Sequence, residues 1–222
     1  MVAKAGTVAA FRPRGEATRQ RLLDEAERQF AEAGFRGTSL NGIAAACGVG
    51  NAGALYHFAS KEKLYKAVLE RLSADMNRAM DAILAEPGSA AERLRHAIRT
   101  EAAHVIAEPG RDRLILRELM DNLGRIEHAR SVPLSHWTRS FCRLIAEAQA
   151  EGAAAPGEPA VLLALFLGTL SYALVVRPTF VRLDLAPGLQ EDARRWLEAA
   201  AAAAERALLI QAKPNDRDGR EP

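Results

Sequence analysis

The stretch from residue 38 to residue 62 constrains the fold of this chain more than any other part of it. Apolar residues recur at helical spacing over 40–47, and the sequence Gly48-Val49-Gly50 follows directly. Because glycine adopts left-handed backbone angles without steric cost, Gly48 predicts the end of a helix and a tight turn. A second short helix is predicted over 51–57. Two short helices joined by such a turn are typical of a helix-turn-helix, in which one helix enters a DNA major groove and the other braces it.

Hydroxyl side chains mark the helix starts on either side of this turn. Thr38 or Ser39 can accept a hydrogen bond from the first backbone N–H groups of the helix that follows. Ser60 stands in the same position before a long helix, where Phe58 and Leu64 can pack together and fix the entry of the chain. An ordinary pair of core helices is the alternative. The short, regular turn favours the helix-turn-helix.

The region around this motif resembles the DNA-binding domain of the TetR (tetracycline-repressor-like) family of transcriptional regulators. The resemblance covers 16–70 and rests on pieces that follow the family's order and spacing. These pieces are the helical stretch 18–35, Thr38-Ser39, Ile43-Ala44, Gly48-Val49, Tyr56-His57-Phe58 and Ser60-Lys61-Glu62. Two features depart from the family pattern. The recognition helix is preceded by Gly50, a weaker cap than Ser or Asn, with Asn51 as a substitute, and it lacks the Lys, Arg or Thr common near its start.

The resemblance implies an all-α protein with an N-terminal three-helix helix-turn-helix domain and a larger C-terminal helical domain for ligand binding and dimerisation. The expected parts are a flexible basic arm over 1–15, a DNA-binding domain over 16–70, a ligand-binding and dimerisation domain over 71–213, and a disordered tail over 214–222. Glycine, proline and capping residues independently predict nine helices. These helices span about 18–33, 39–47, 51–57, 61–85, 89–107, 111–123, 133–151, 159–177 and 189–212.

Composition supports a helical protein of the reducing cytoplasm. Of the 222 residues 49% are hydrophobic and only 5% aromatic, and alanine is frequent, which favours helix over sheet. The two cysteines, Cys47 and Cys142, form neither a disulfide framework nor a metal-binding spacing. We interpret Cys47 as a small core residue. No secretory signal is recognisable at the N-terminus, because Val2–Ala10 is only weakly apolar and contains Lys4.

The motifs of the main enzyme classes are missing from the sequence. It has no Gly-x-Ser-x-Gly elbow, no glycine-rich phosphate loop and no His-Glu-x-x-His. Its five histidines, at 57, 96, 104, 128 and 136, include no pair at i, i+3 or i, i+4. We therefore expect no catalytic residues, no metal ion and no cofactor apart from an unidentified small-molecule effector.

A symmetric dimer of such domains would present two recognition helices to successive major grooves roughly 34 Å apart, so double-stranded DNA with an inverted repeat is the expected operator. Asn51 is the expected reader of adenine, and Ala52 or Ala54 would contact a thymine methyl group. Tyr56 is expected as a phosphate donor, a core wedge or both, and His57 as a phosphate donor or a helix C-cap. The full set of expected DNA contacts is Thr38, Ser39, Asn41, Gly50, Asn51, Ala52, Ala54, Tyr56, His57 and Lys61.

The charge distribution suggests one more DNA contact. Residues 1–22 hold five basic residues, Lys4, Arg12, Arg14, Arg19 and Arg21, against the single acidic residue Glu16. Such an arm can neutralise phosphates or enter a minor groove. A solvated N-terminus without a partner is an equal alternative.

The eighth predicted helix contains an uncharged run of 17 residues, Ala160–Val176. This length is at the low edge of what spans a bilayer. The resemblance implies another use, a homodimer through the last two long helices, and we favour it over a membrane span. Gly168 would permit close approach of the partner helix. The surface that packs against the partner subunit is expected to include a stripe on the ninth helix, formed by Trp196, Ala200, Ala204 and Leu208.

The C-terminal domain is expected, by resemblance, to bind the effector. The candidate pocket residues are His104, Leu116, Met120, Leu123, Trp137, Phe141, Phe166 and Tyr172, most of them at a spacing equally typical of plain core. The favoured function is a cytoplasmic, sequence-specific repressor that leaves its operator when the effector binds. The alternatives are a transcriptional activator and a TetR-shaped module with weakened DNA binding that acts through protein partners.

Overall fold

A computed structural model of the chain describes residues 14–121, 134–185, 188 and 192–210. Within these ranges the regular elements are nine helices, and one isolated antiparallel β-bridge joins Ala154 to Leu209. The helices are α1 (Arg14–Gly37), α2 (Leu40–Ala46), α3 (Asn51–His57), α4 (Lys61–Leu84), α5 (Ala90–Ala107), α6 (Pro109–Asp121), α7 (Ser135–Ala150), α8 (Pro159–Arg182) and α9 (Ala193–Leu208). The prediction of an all-α fold is confirmed.

The chain forms two compact units that divide between Leu69 and Glu70, inside α4. The first unit holds α1, α2, α3 and the start of α4. The second holds the rest of α4 and α5 to α9. The predicted arm and tail fall almost entirely outside the described residues.

One helix is interrupted at its predicted end, and another extends beyond it. The backbone of α1 is non-helical at Gly34, whose left-handed angle φ 72° breaks the helix where the sequence predicts its end. α8 continues through Pro178 to Arg182. A proline inside a helix costs about 3 kcal/mol. Packing of the last turns of α8 offsets this cost, since the ring of Phe180 meets that of Trp196 edge-on at 5.8 Å.

Apolar side chains from all four of its helices build the core of the first unit. Phe30, Ile43 and Leu64 are fully buried. Phe30 meets the ring of Tyr65 edge-on, with 4.8 Å between ring centres. Phe58 is buried as predicted, and the guanidinium of Arg19 lies 5.1 Å from its ring. These contacts hold α2 and α3 in place against α1 and α4.

The second unit is organised around α5, which packs against α7 and α9. Its start is fixed in two ways. Ser89 and Glu92 form a capping box, in which each side chain accepts from the other residue's backbone N–H. In addition, the carboxylate of Glu151, just after α7, accepts hydrogen bonds from the backbone N–H groups of Ala90 and Ala91 at 2.8 and 2.9 Å. These bonds lower the pKa of Glu151, because they stabilise its charged form.

The predicted stripe on α9 is used differently from the expectation. Ala204 and Leu208 are buried in the core of their own chain, so they cannot face a partner subunit. Trp196 is half-buried, and its indole N–H donates to the carbonyl oxygen of Ala173 on α8 at 2.8 Å. The amphipathic pattern identified the buried face of α9 correctly, but that face packs within the chain.

Candidate DNA-binding surface and effector region

The recognition helix α3 presents one face to solvent. Asn51 and Ala52 are exposed, and Tyr56 is 85% exposed. The opposite face packs closely on the turn, because a Cβ added to Gly53 would lie 2.9 Å from the Val49 side chain. The close approach of α3 to the turn therefore requires glycine at this position.

Three expectations about α3 are corrected. Ala54 is fully buried, so its methyl group cannot contact a thymine. Tyr56 projects into solvent rather than wedging between helices. His57 is the half-buried last residue of α3, and the C-cap position belongs to Phe58. Gly50 precedes the helix without a side-chain cap, as its residue type requires.

The start of α2 carries two hydroxyl groups with different roles. Ser39 is the N-cap, and its Oγ accepts from the backbone N–H of Gly42 at 3.0 Å. Thr38 is buried, and its single O–H lies within hydrogen-bonding distance of two carbonyl oxygens, that of Gly34 at 2.9 Å and that of Gln29 at 3.2 Å. The expected phosphate contact of Thr38 is therefore corrected, since its hydroxyl closes the end of α1. Asn41 is exposed on the first turn of α2.

Lys61 at the start of α4 is likewise directed inward. Its ammonium donates to the carbonyl oxygens of Phe35 at 2.9 Å and Thr38 at 3.0 Å. It also lies 4.1 Å from the centre of the Phe35 ring. Two of its three N–H donors are used on the protein's own backbone, so the phosphate contact of this ammonium stays a prediction that at most one donor can make.

Arg21 and Cys47 join α1 to the end of α2. The Arg21 guanidinium donates to the carbonyl oxygen of Cys47 at 3.4 Å, and the Cys47 thiol donates to the carbonyl oxygen of Arg21 at the same distance. Cys47 is half-buried rather than a full core residue, and burial raises the pKa of its thiol. Of the predicted basic arm, Lys4 and Arg12 lie outside the described residues.

The described residues that are expected to bind the effector differ widely in burial. Phe141, Phe166 and Trp137 are buried in the core of the second unit. Met120 and Tyr172 are 76% and 63% exposed, and Leu116 is half-buried. Leu123 lies outside the described residues. His104 borders a cleft, and the effector pocket among the predicted residues stays a prediction.

That cleft lies between α4, α5 and α6 and has a volume of about 10 Å³, room for little more than one water molecule. Most of the side chains that line it are charged or titratable. The charged or titratable residues around it are Glu101, His104, Glu108, Arg111 and Asp112, beside the apolar Met76, Val105 and Ile115. Within the described ranges, no group of three or more His, Cys, Asp or Glu side chains is arranged to hold a metal ion.

The buried carboxyl groups of this cleft are the residues that the sequence interpretation missed. Burial raises the pKa of Glu101 to about 7, with Arg111 lowering it and Asp112 raising it. Burial also raises the pKa of Asp112, against a hydrogen bond from the Ser171 hydroxyl at 3.4 Å. The Asp112 Oδ2 atom is buried without a hydrogen-bond partner in the described part of the chain. One signal was available, since Glu101 falls on the apolar stripe of α5.

Burial and Arg111 lower the pKa of His104, the titratable residue that the sequence did single out here. Arg111 is itself 12% exposed, and its guanidinium donates to the carbonyl oxygen of Leu72 on α4 at 2.9 Å. The cleft therefore joins α4, α5 and α6 through charged groups that have lost most of their hydration.

Residues 22–68, which run from α1 into α4, match the family model of bacterial regulatory proteins of the tetR family. The DNA-binding domain of this chain belongs to the TetR family. Among curated proteins, none matches the sequence significantly. The TetR assignment agrees with the exposed recognition helix and the short glycine turn described above.

Solved structures extend the TetR-like fold to both units. A TetR-family transcriptional regulator from Pectobacterium atrosepticum is 29% identical, with 91% of this chain and 100% of that chain covered and a TM-score of 0.54. A TetR/AcrR-family regulator from Thermobifida fusca is 24% identical, with coverage of 86% and 97% and a TM-score of 0.57. The ketosteroid transcriptional regulator KstR2 of Mycobacterium tuberculosis is 17% identical, with coverage of 87% and 95% and a TM-score of 0.64. The chain thus has the fold of a TetR-family transcriptional regulator.

In this TetR-like chain α8 carries an exposed apolar stripe. The helix is long and apolar enough to cross a membrane, with a mean hydropathy of 2.2, and 33% of its most apolar window is buried. The outward stripe contains Val161, Leu165, Tyr172 and Val175, each more than half exposed. At Gly168, on the same face, an added Cβ would meet no atom within 4 Å. One apolar helix in a fold shared with transcriptional regulators does not indicate a membrane protein.

Proposed function

We propose that this protein is a sequence-specific DNA-binding transcriptional regulator, favoured as a repressor that leaves an inverted-repeat operator when a small molecule binds its second unit. One observation carries the proposal. The TetR match over 22–68 coincides with a recognition helix whose outer face, including Asn51 and Tyr56, is exposed. The bound state and the release are proposals, and they require no catalytic step.

The exposed groups of α3 and α2 have the chemistry for a major groove. The Asn51 amide can pair with the N6 and N7 atoms of adenine, and the Ala52 methyl can contact a thymine methyl. The Tyr56 phenol can donate to a backbone phosphate, which positions the helix without reading a base. Asn41 on α2 is exposed in the same unit and is the second candidate for a phosphate contact.

A homodimer is proposed through the exposed stripe of α8. An apolar stripe of this length costs free energy in water, and burial against a second copy would recover about 25 cal/mol for each Å² removed from water. Gly168 leaves room for a partner helix to approach closely. Two copies related by a two-fold axis would present two recognition helices, as an inverted repeat requires.

The proposed regulation needs one thermodynamic condition. An effector must bind the DNA-competent and the DNA-incompetent arrangements of the protein with different affinities. Binding within the second unit would meet this condition if the bound effector fits one of the two arrangements better than the other. Such a regulator would act in the cytoplasm, where its DNA is.

One observation favours the alternative function, in which the protein acts through protein partners instead of DNA. α3 has a glycine in place of a side-chain cap, and its exposed face includes Leu55, which is 44% exposed. An apolar side chain on this face fits a protein surface as well as a thymine methyl group. The experiment below separates the two functions.

The test is binding of the purified protein to the intergenic DNA next to its own gene, with a competitor DNA and a salt titration. Saturable binding that resists the competitor and weakens steeply with salt supports a sequence-specific regulator. Tyr56→Phe should weaken binding to all sequences alike, because it removes only the phenol hydroxyl proposed to contact phosphate. Binding that shows no sequence preference at any salt concentration would favour the protein-partner function.

A further inference from the structure

A second and larger cleft lies where the corner between α5 and α6 meets α8 and α9. Its volume is about 280 Å³, close to the lower end of small-molecule sites at about 300 Å³. Three arginines border it, Arg113 on α6, Arg177 on α8 and Arg194 on α9. Among the described residues that line the cleft, none is acidic.

The floor of this cleft is apolar and firmly held. It includes Leu174 and Leu197, which are 8% and 4% exposed. The indole of Trp196 is fixed on one side by its hydrogen bond to the Ala173 carbonyl oxygen at 2.8 Å. Pro178 completes the wall on α8 without a backbone N–H of its own. A surface of this kind can hold the apolar body of a ligand at little cost in side-chain entropy.

The described residues that line the cleft carry basic side chains and no acidic one. Arg194 pairs with Glu198 at 2.8 Å, but both side chains are largely exposed, so water screens this ion pair. Arg113 is exposed and lies on α6, so the two arginines reach the cleft from different helices. Guanidinium groups bind carboxylates in a planar, bidentate geometry that an ammonium group cannot reproduce.

We propose that this cleft binds a small amphipathic anion, with a carboxylate held by the arginines and an apolar body against Trp196, Leu174 and Leu197. The site is separate from the acidic cleft around Glu101, which has the opposite charge and far less volume. A medium-length alkyl carboxylate has the size and the charge that this cleft fits.

Occupancy of the cleft would also tie α6 to α8. Arg113 stands two residues after Arg111, whose guanidinium holds the Leu72 carbonyl oxygen, and next to Asp112, which accepts from Ser171 on α8. An anion bridging Arg113 and Arg177 would therefore strengthen an existing contact between these helices. An effect of the ligand on DNA binding rests on the proposed function, whereas the binding step does not.

The test is titration calorimetry on the full chain with decanoate as the probe, below its micelle concentration. Decyltrimethylammonium supplies the same tail with the opposite charge, and acetate supplies the charge without the tail. We expect saturable binding of one decanoate per chain and no saturable binding of the other two. Equal binding of the cationic detergent, or no saturable binding of decanoate, overturns the proposal.

Two pairs of variants locate the site. Arg113→Gln should weaken decanoate binding about tenfold or more, while Arg139→Gln, an exposed arginine on α7, should leave it unchanged. Ala193→Glu adds a negative charge at the border of the cleft and should abolish binding, while Ala199→Glu on the exposed face of α9 should not. Decanoate affinity that is equal in all four variants overturns the assignment. Because DNA binding is measured separately on the same samples, failure of the operator experiment leaves this result standing, and the reverse also holds.

Discussion

The ammonium group of Lys61 donates a hydrogen bond of 2.9 Å to the carbonyl oxygen of Phe35. The same group donates to the Thr38 carbonyl oxygen and lies over the Phe35 ring. One side chain at the start of α4 thus holds the segment between α1 and α2. A residue that resembles a phosphate contact by its place in the sequence is part of the support of the recognition helix.

We predict that Lys61→Met destabilises the first unit by about 2 kcal/mol, because two charge-assisted hydrogen bonds and a cation–π contact are lost. Urea unfolding followed by circular dichroism measures the change. Lys63→Met, an exposed neighbour on the same helix, is the matched control and should change stability by less than about 0.5 kcal/mol. If Lys61→Met instead keeps its stability and lowers only the salt dependence of DNA binding, the ammonium contacts phosphate after all.

Thr38→Val should cost about 1–2 kcal/mol of stability at nearly constant volume, since it removes the donor from the buried carbonyl oxygens of Gly34 and Gln29. Thermal unfolding is a suitable measurement. Thr138 on α7 makes a hydrogen bond of the same kind to Leu134 at 2.8 Å but is exposed, so Thr138→Val serves as the control. Equal effects of the two substitutions would show that burial of the Thr38 hydroxyl contributes nothing.

The stability of the second unit should depend on pH through Glu101. Its pKa is raised to about 7 in the folded protein, from an ordinary value of 4.5, so the folded state favours the protonated form. The stabilising effect of that proton is complete below about pH 4.5 and is lost as the pH rises to about 7. Asp112 and Arg111 face the same carboxyl group and act on it in opposite directions.

Glu101→Gln should remove this dependence. The stability of the variant minus that of the wild type should increase by up to about 3 kcal/mol as the pH rises from 5 to 8. Denaturant unfolding at the two pH values gives the difference, and Glu158→Gln, an exposed residue before α8, is the control. A wild-type-to-variant difference that is the same at both pH values would show that Glu101 ionises normally.

The exposed stripe of α8 makes a prediction about assembly. Leu165→Asp places a charge in the middle of the proposed dimer interface and should convert the protein to a monomer in sedimentation experiments. Met120 on α6 is 76% exposed, and Met120→Asp should leave the oligomeric state unchanged. A monomeric wild-type protein, or a dimer that tolerates Leu165→Asp, would assign the stripe to something other than self-association.

Local signals in the sequence were sufficient to predict the helix-turn-helix and most helix boundaries. Glycine at 48, the cap at Ser39 and the capping box at Ser89 act within a few residues, so their geometry follows from residue type. Pro178 is the exception. Its effect on α8 depends on packing against α9, which no local pattern contains.

The directions of polar side chains could not be predicted in the same way. Thr38 and Lys61 have the residue types of phosphate contacts, yet their hydrogen bonds end on backbone carbonyl groups brought close by the fold. Most residues that the sequence predicts to bind the effector are aromatic or apolar, and such residues fill a core as readily as a pocket. A carboxylate on an apolar helix stripe, as at Glu101, was the more specific signal.

The outer face of α3 offers few groups that can read DNA bases, whereas a regulator of this kind has to find its operators within a whole genome. A good bidentate contact to one base pair gives about 1–3 kcal/mol of discrimination, and in the proposed complex the exposed amide of Asn51 would supply one such contact for each half-site. A chromosome offers about a million or more competing sites, which two contacts of this kind cannot outweigh. The remaining selectivity has to come from the energy of deforming the DNA between and around the contacted bases. We therefore expect its operators to share groove width and flexibility more closely than they share base sequence.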